Sequence, residues 1–232
     1  MTIEPIAFFK SPFTSKFGIP RQSGIVPNLE GEIHFTEKYR RSEAVRGLEG
    51  FDYIWLIWEF SASRRDADAD WQPTVRPPRL GGNARLGVFA TRSPFRPNHL
   101  GLSSVRVKRI DFNCADAPVI HVLGADLMDG TPIYDIKPYI PYADSHPDAA
   151  GGFTDNEDWT SLKVIMPDTI RTDLEIRLGA EGLETLIGVL AQDPRPRYQD
   201  DLDRIYGMPF CGLDIRFKAE AGTLMVTGFD LL

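Results

Sequence analysis

Phe51 to Phe60 (FDYIWLIWEF) runs ten residues without glycine or proline and is dominated by aromatic and isoleucine side chains. Such side chains pack well on a pleated surface, so the segment reads as a central, buried β-strand. Pro5 to Phe9, Gly31 to Phe35, Leu86 to Ala90, Leu102 to Ile110 and Val119 to Gly124 read as further short strands between Gly and Pro turns. Within 102–110, Leu102, Ser104, Arg106 and Lys108 alternate imperfectly with Ser103, Val105, Val107 and Arg109, as in a strand with one wet face. A short helix is expected from about Ser42 to Leu48, with Ser42 as its N-cap. Many short strands and few helices predict a mainly β first unit, either a sandwich or a barrel.

Tyr142 to Thr160 is rich in Asp, Gly, Ala and Pro, and marks a linker between two units. Residues 1–145 are expected to form the first domain, 146–160 the linker and 161–232 a small α+β domain. In the latter, Leu183, Leu186, Ile187 and Leu190 fall at i, i+3, i+4 and i+7, an amphipathic helix that Asp193-Pro194 ends. Phe210 to Lys218 and Thr223 to Phe229 read as strands around an Ala219-Glu220-Ala221-Gly222 hairpin turn. A unit of about 70 residues is short of core, so it is expected to dock on the first domain or on a partner chain.

The composition, 42% hydrophobic and 25% charged, is that of a soluble globular protein, and no run approaches the roughly 20 apolar residues that span a membrane. The start, Met1-Thr2-Ile3-Glu4-Pro5, has no basic segment leading into an apolar one, so no secretory signal is expected and the location is expected to be cytoplasmic. Cys114 and Cys211 lack metal or redox spacing and are expected to be reduced, buried thiols. His34, His99, His121 and His146 are isolated, so no metal is expected. No Gly-x-Gly-x-x-Gly, Walker-type loop or Gly-x-Ser-x-Gly elbow is present.

Chemistry concentrates in Thr91-Arg92-Ser93-Pro94-Phe95-Arg96-Pro97-Asn98-His99-Leu100-Gly101. Pro94 and Pro97 disfavour helix, so Arg92 and Arg96 are expected on a stiff loop, aimed at an anionic or polar ligand. The charge around it is segregated. Net charge is −7, yet Gln72 to Ile110 holds Arg76, Arg79, Arg85, Arg92, Arg96, Arg106, Lys108 and Arg109 with no Asp or Glu. Asp111 to Ser161 holds ten acidic residues against Lys137 alone. Either the two segments neutralise each other across a sheet, or the basic one faces a structured RNA or a phosphorylated ligand.

Four further groups stand out. Ile19-Pro20-Arg21-Gln22 sets a guanidinium beside a carboxamide. Asp126-Leu127-Met128-Asp129-Gly130-Thr131-Pro132 joins two carboxylates to a turn able to orient ribose hydroxyls. Asp135-Ile136-Lys137-Pro138-Tyr139 places Asp135 and Lys137 on one strand face. The basic Arg76-Pro77-Pro78-Arg79-Leu80-Gly81-Gly82-Asn83 stretch suits a phosphate backbone.

Together, Ile19-Pro20-Arg21-Gln22, Val88 through Asn98, and Asp129-Gly130-Thr131-Pro132-Ile133 through Tyr139 resemble the TsaA-like family of tRNA methyltransferases. Leu190 through Tyr198 resembles the C-terminal unit of its bacterial members. The resemblance implies a small, non-Rossmann β-barrel that binds S-adenosylmethionine and works as a homodimer. It implies N6 methylation of threonylcarbamoyladenosine at tRNA position 37, in support of decoding.

By position, the resemblance implies cofactor contacts from Pro20, Arg21, Gln22, Ser61, Ala62, Arg92, Leu102, Asp126, Leu127, Asp129 and Gly130. The family pattern has His-Gln where this chain has Ser61-Ala62. Arg76, Arg79, Arg96, Asn98, Lys137 and Tyr139 are expected on the tRNA side. Asp126, Asp129 and Asp135 are the candidate general bases, since the nitrogen must lose a proton. Two other readings stay open: a non-catalytic RNA-binding or cofactor-sensing module, and a methyltransferase acting on a small molecule.

Overall fold

The computed structural model describes residues 2–63, 71–77, 84–156, 160–195 and 204–232. Arg79, residues 78–83 of the basic stretch and Pro196 to Tyr198 lie outside them.

The FDYIWLIWEF segment forms β3 (Tyr53–Glu59), in which Ile54, Leu56 and Trp58 point inward and are buried. It lies between β6 (Leu100–Asp111) and β8 (Pro132–Pro138), antiparallel to both. The remaining strands of this sheet are β1 (Ala7–Lys10), β2 (Glu30–Phe35) and β7 (Val119–Leu123). The order β1-β2-β7-β6-β3-β8 returns to β1 through pairs such as Ala7 with Ile133, closing an antiparallel barrel. Closure leaves no sheet edge, and the inner residues Phe9, Ile33, Ile54, Leu56, Val105, Ile120, Val122 and Ile133 fill the interior.

Since all neighbours are antiparallel, three connections emerge at one rim: β1 to β2, β3 to β6, and β7 to β8. The β3–β6 connection carries a two-stranded ribbon, β4 (Thr74–Val75) with β5 (Leu86–Gly87).

The second unit is a sheet of order β10-β11-β12-β9, made of β9 (Lys163–Ile165), β10 (Tyr206–Phe210), β11 (Leu213–Glu220) and β12 (Thr223–Leu231). It packs with the long helix Asp168–Ala191, which Gly179 interrupts at φ +73°. Its core is completed from the β1–β2 connection: Phe13, Val26 and Leu29 are buried with Leu186, Met208, Phe210 and Phe217. Thus the small unit docks on the barrel, as its lack of core demands.

Several expectations need correction. Leu86 to Ala90 is strand only at Leu86–Gly87, and Val88–Ala90 is a 3-10 turn. Ser42–Val45 is a 3-10 turn with Arg41, not Ser42, at the N-cap position. The strand expected over Phe210 to Lys218 is two strands, because Cys211 and Gly212 take φ values of 50° and 76° and form a tight hairpin turn. Both cysteines are exposed rather than buried, since Cys114 lies in the β6–β7 connection and Cys211 at that hairpin tip.

Candidate functional site

The arginine-rich connection is a stiff loop held by its own side chains. Thr91 Oγ1 donates to Val88 O (2.9 Å) and accepts from Ser93 N (3.3 Å), and Ser93 Oγ accepts from Phe95 N (3.3 Å). Arg96 spends one terminal nitrogen on the Thr91 and Ser93 carbonyls (3.0 and 3.2 Å), so it shapes the loop. His99, at φ 50°, sets Nδ1 2.9 Å from Pro94 O, and its carbonyl accepts from Phe60 N (2.9 Å) at the end of β3. Arg92 instead is exposed and reaches across the rim to donate to the Gln22 carboxamide oxygen.

The third rim connection supplies Asp126. Gly24 N donates to Gly124 O (2.8 Å), drawing the 20–24 segment against the end of β7. There the Ser23 amide and the charge of Arg92 both act on the Asp126 carboxylate. From below, Trp58 Nε1 donates to Ser103 Oγ (3.0 Å), and the Ser103 hydroxyl donates to Asp126 Oδ1 (2.6 Å). Because the indole occupies an acceptor position on Ser103, the Ser103 proton is directed at Asp126. Burial pushes the Asp126 carboxyl above the usual aspartate range, against the opposing pull of Ser103, its own backbone, Arg92 and Ser23. Gly101 makes room for this chain of contacts: a Cβ there would lie 2.4 Å from Trp58 Cε2.

The rim therefore gathers Gln22, Arg92 and Asp126, residues far apart in the sequence, and Leu127 is buried beneath them. Pro20 is buried and Arg21 half-buried in the same segment, and Ser61 begins a 3-10 turn where β3 ends. Ala62, beside it, is exposed.

Asp129 and Gly130 share the rim connection of Asp126, and the remaining candidates sit elsewhere. Asp129 accepts the Ser11 amide at Oδ1 (3.1 Å), while Gly130, at φ +74°, donates its amide to Phe9 O (2.8 Å); both tie the turn to β1. Leu102 is 54% exposed on the outer barrel wall, the opposite side from Ser103, and pairs with Ile57. Asp135 and Lys137 form an ion pair (3.0 Å) on the same wall. Tyr139 packs on Trp55 and Tyr53 (5.6 and 6.2 Å between ring centroids) past the far end of β8, roughly 20 Å from the rim at strand spacing. Within one chain, Lys137 and Tyr139 are thus not brought together with Arg96 and exposed Asn98. Arg76 is exposed beside β4. Among the described residues of the basic segment, Lys108 and Arg109 form ion pairs with Glu30 of β2 (2.7 and 3.5 Å), and Arg92 acts on Asp126 of the acidic segment that follows.

Ser103 and Trp58 escaped the sequence reading. The available signal was a serine at an inward position of a strand, opposite Leu56. Replacing Ser103 by alanine strands the Trp58 N–H and removes a donor to Asp126, an expected cost of about 1–3 kcal/mol. Thermal unfolding should show the melting point falling by roughly 2–12 °C.

Residues 8–145 match the family described as tRNA-methyltransferase O N-terminal domain, and residues 160–230 the TrmO C-terminal domain. A tRNA (adenine(37)-N6)-methyltransferase of Escherichia coli is 41% identical over 225 residues, 94% of each chain. A Pseudomonas aeruginosa relative, 38% identical over 93% of this chain and 91% of its own, bears a name that provisionally classes it as an S-adenosylmethionine-dependent methyltransferase. The crystal structure of TrmO from Pseudomonas aeruginosa superposes with a TM-score of 0.79, at 30% identity and covering 99% of this chain and 98% of that one. With both of its units matched, the chain belongs to the tRNA-methyltransferase O family.

Proposed function

We propose that this protein transfers a methyl group from S-adenosylmethionine to N6 of threonylcarbamoyladenosine at position 37 of tRNA. The observation that carries the reading is the rim where Gln22, Arg92 and the buried Asp126 converge, in a chain whose relatives over nearly their full length are named for adenine-37 N6 methylation. The rim suits the cofactor: Arg92 complements its carboxylate. When bound, S-adenosylmethionine supplies an electrophilic methyl on a sulfonium.

The protein's own residues then do two things. The stiff 91–99 loop and the 20–24 segment hold two reactants in line, which supplies much of the rate. Asp126, held by Ser103, would take the N6 proton as the C–N bond forms and the C–S bond to the departing neutral thioether breaks. Asp129 and Asp135 are engaged with Ser11 and Lys137, and serve the fold and the outer wall. The outer wall, where Leu102 is 54% and Tyr53 42% exposed, is the face assigned to a second copy in the homodimer. The protein acts in the cytoplasm, on its tRNA substrate.

The test is a methylation assay with labelled S-adenosylmethionine and bulk tRNA prepared with and without the threonylcarbamoyl group, followed by nucleoside mass analysis. Label confined to threonylcarbamoyladenosine is expected. Cofactor binding without label on any tRNA would replace the proposal with a binding module or a small-molecule enzyme. The tRNA KM should also rise steeply with salt, since each phosphate neutralised contributes a log–log slope of about −0.7 to −0.9. A flat salt response would count against an RNA substrate.

A further inference from the structure

Trp71 and Phe89 form an exposed aromatic pair that the site at the rim does not use. Phe89 is 71% exposed and Trp71 45%, and their rings stack with centroids 5.8 Å apart and planes 26° from parallel. Large aromatic side chains are seldom left to water in this way without a ligand or partner to cover them. The pair is held rigidly. Trp71 leads into β4 and Phe89 sits in the 3-10 turn after β5. Two backbone bonds, Val88 N to Pro73 O (3.0 Å) and Gln72 N to Phe95 O (3.3 Å), fasten both sides of this ribbon. Phe89, the more exposed ring, is the outer face, and Trp71 backs it.

The surroundings say what the pair covers itself with. Arg76 and Arg85 stand exposed on the same ribbon, Arg85 reaching Thr74 Oγ1 (3.3 Å). Arg92 follows Phe89 by three residues, at most about 11 Å along the chain. Asp66, Asp68 and Asp70 precede Trp71 in the sequence, and from Trp71 to Ile110 no Asp or Glu follows, in a protein whose net charge is −7. An aromatic face that shares its ribbon with the exposed Arg76 and Arg85 matches one chemical class: an unstacked nucleobase between phosphates.

The geometry points to Phe89, backed by Trp71, as a stacking platform for a single-stranded nucleotide next to the methylated one, with Arg76 and Arg85 on its phosphates. The assignment of that nucleotide to the anticodon loop rests on the proposed tRNA substrate; the platform itself requires only single-stranded RNA. Stacking tolerates any base, so the platform holds the loop open rather than reading its sequence.

Binding tests this without turnover. Wild type, Phe89→Ala, Phe89→Trp and Trp71→Ala are titrated, in the absence of cofactor, with an unmodified anticodon stem-loop RNA and with a fully paired RNA of equal length. Phe89→Ala is expected to weaken the stem-loop about ten-fold to a hundred-fold, Trp71→Ala less, and Phe89→Trp to restore affinity within about three-fold. Duplex affinity, the salt slope and S-adenosylmethionine affinity should stay unchanged, because no charge is removed. Equal stem-loop affinity in wild type and Phe89→Ala would overturn the platform, as would equal losses on loop and duplex. A change of oligomeric state in sedimentation would assign the pair to contact between copies and also overturn it. A wild type that methylates no tRNA, yet loses loop binding on Phe89→Ala, would sink the proposed reaction and leave the platform standing.

Discussion

Asp126→Asn is expected to lower kcat about 10²- to 10⁴-fold while the protein stays folded, because the change removes a proton acceptor but keeps the shape and the oxygen that Ser103 donates to. Asp129→Asn and Asp135→Asn should lose far less. Their carboxylates are engaged with the Ser11 amide and with Lys137. The pH dependence has a definite sign. Burial raises the Asp126 carboxyl above its ordinary value near 4, so the folded state binds this proton more tightly than the unfolded chain does. The contribution to stability is therefore full below about pH 4 and is lost as pH rises through the raised folded value. Asparagine cannot ionise. Relative to Asp126→Asn, the wild type should lose stability across that window, and at neutral pH the variant should melt at the same temperature or higher. Activity runs the other way, rising through the same pKa as the base becomes ionised, and this acidic limb should vanish in the variant. Undiminished turnover in Asp126→Asn would remove the carboxylate base and leave positioning as the source of rate.

The same residue shows where sequence reading reaches and where it stops. β3 was legible because FDYIWLIWEF has no competing helical period, and the stiffness of the 91–99 loop followed from Pro94 and Pro97 alone. Pairing within β8 was legible too: Asp135 and Lys137 are two apart and share a face. By contrast, the separation of Lys137 from Arg96 depends on which rim each loop emerges at, and only the closed strand order fixes that. Local pattern likewise missed the break at Cys211-Gly212, where cysteine adopts a positive φ that its type seldom takes. The helix was seen only over its amphipathic second half, because Gly179 interrupts the period before Leu183. Ser103 looked like one more polar residue in an imperfect alternation. It acquires a role only when Trp58 and Asp126 arrive on either side of it.

Gly18→Ala should have the largest effect on stability, and it ties the second unit to the rim. Gly18 takes φ +92°, and a Cβ there would lie 2.4 Å from Met208 Sδ and 2.7 Å from Met208 Cγ. Met208 is wholly buried in β10, so it has little room to yield. Backbone strain and overpacking together make the expected cost about 2–5 kcal/mol, read as a fall in melting point. The flanking residues carry the displacement onward. Phe17 stacks on Tyr206 and Phe217 (6.5 and 6.4 Å), Ile19 packs on the same core, and the next residues are Pro20, Arg21 and Gln22. Moving this segment shifts the partner of Arg92 and the Ser23 amide that acts on Asp126. S-adenosylmethionine affinity should therefore fall about ten-fold or more, at 1.4 kcal/mol per decade, while stem-loop RNA affinity holds. Gly47→Ala provides the comparison, since Gly47 has φ +86° with nothing within 4 Å of its would-be Cβ. It should cost only the backbone strain, about 1–3 kcal/mol, and leave cofactor affinity intact. Adding Met208→Ala to Gly18→Ala should recover the steric share of the loss and not the strain, a coupling that a double-mutant cycle measures. If Gly18→Ala instead bound cofactor as tightly as Gly47→Ala, the C-terminal sheet would not be what holds the Pro20–Gln22 segment in place.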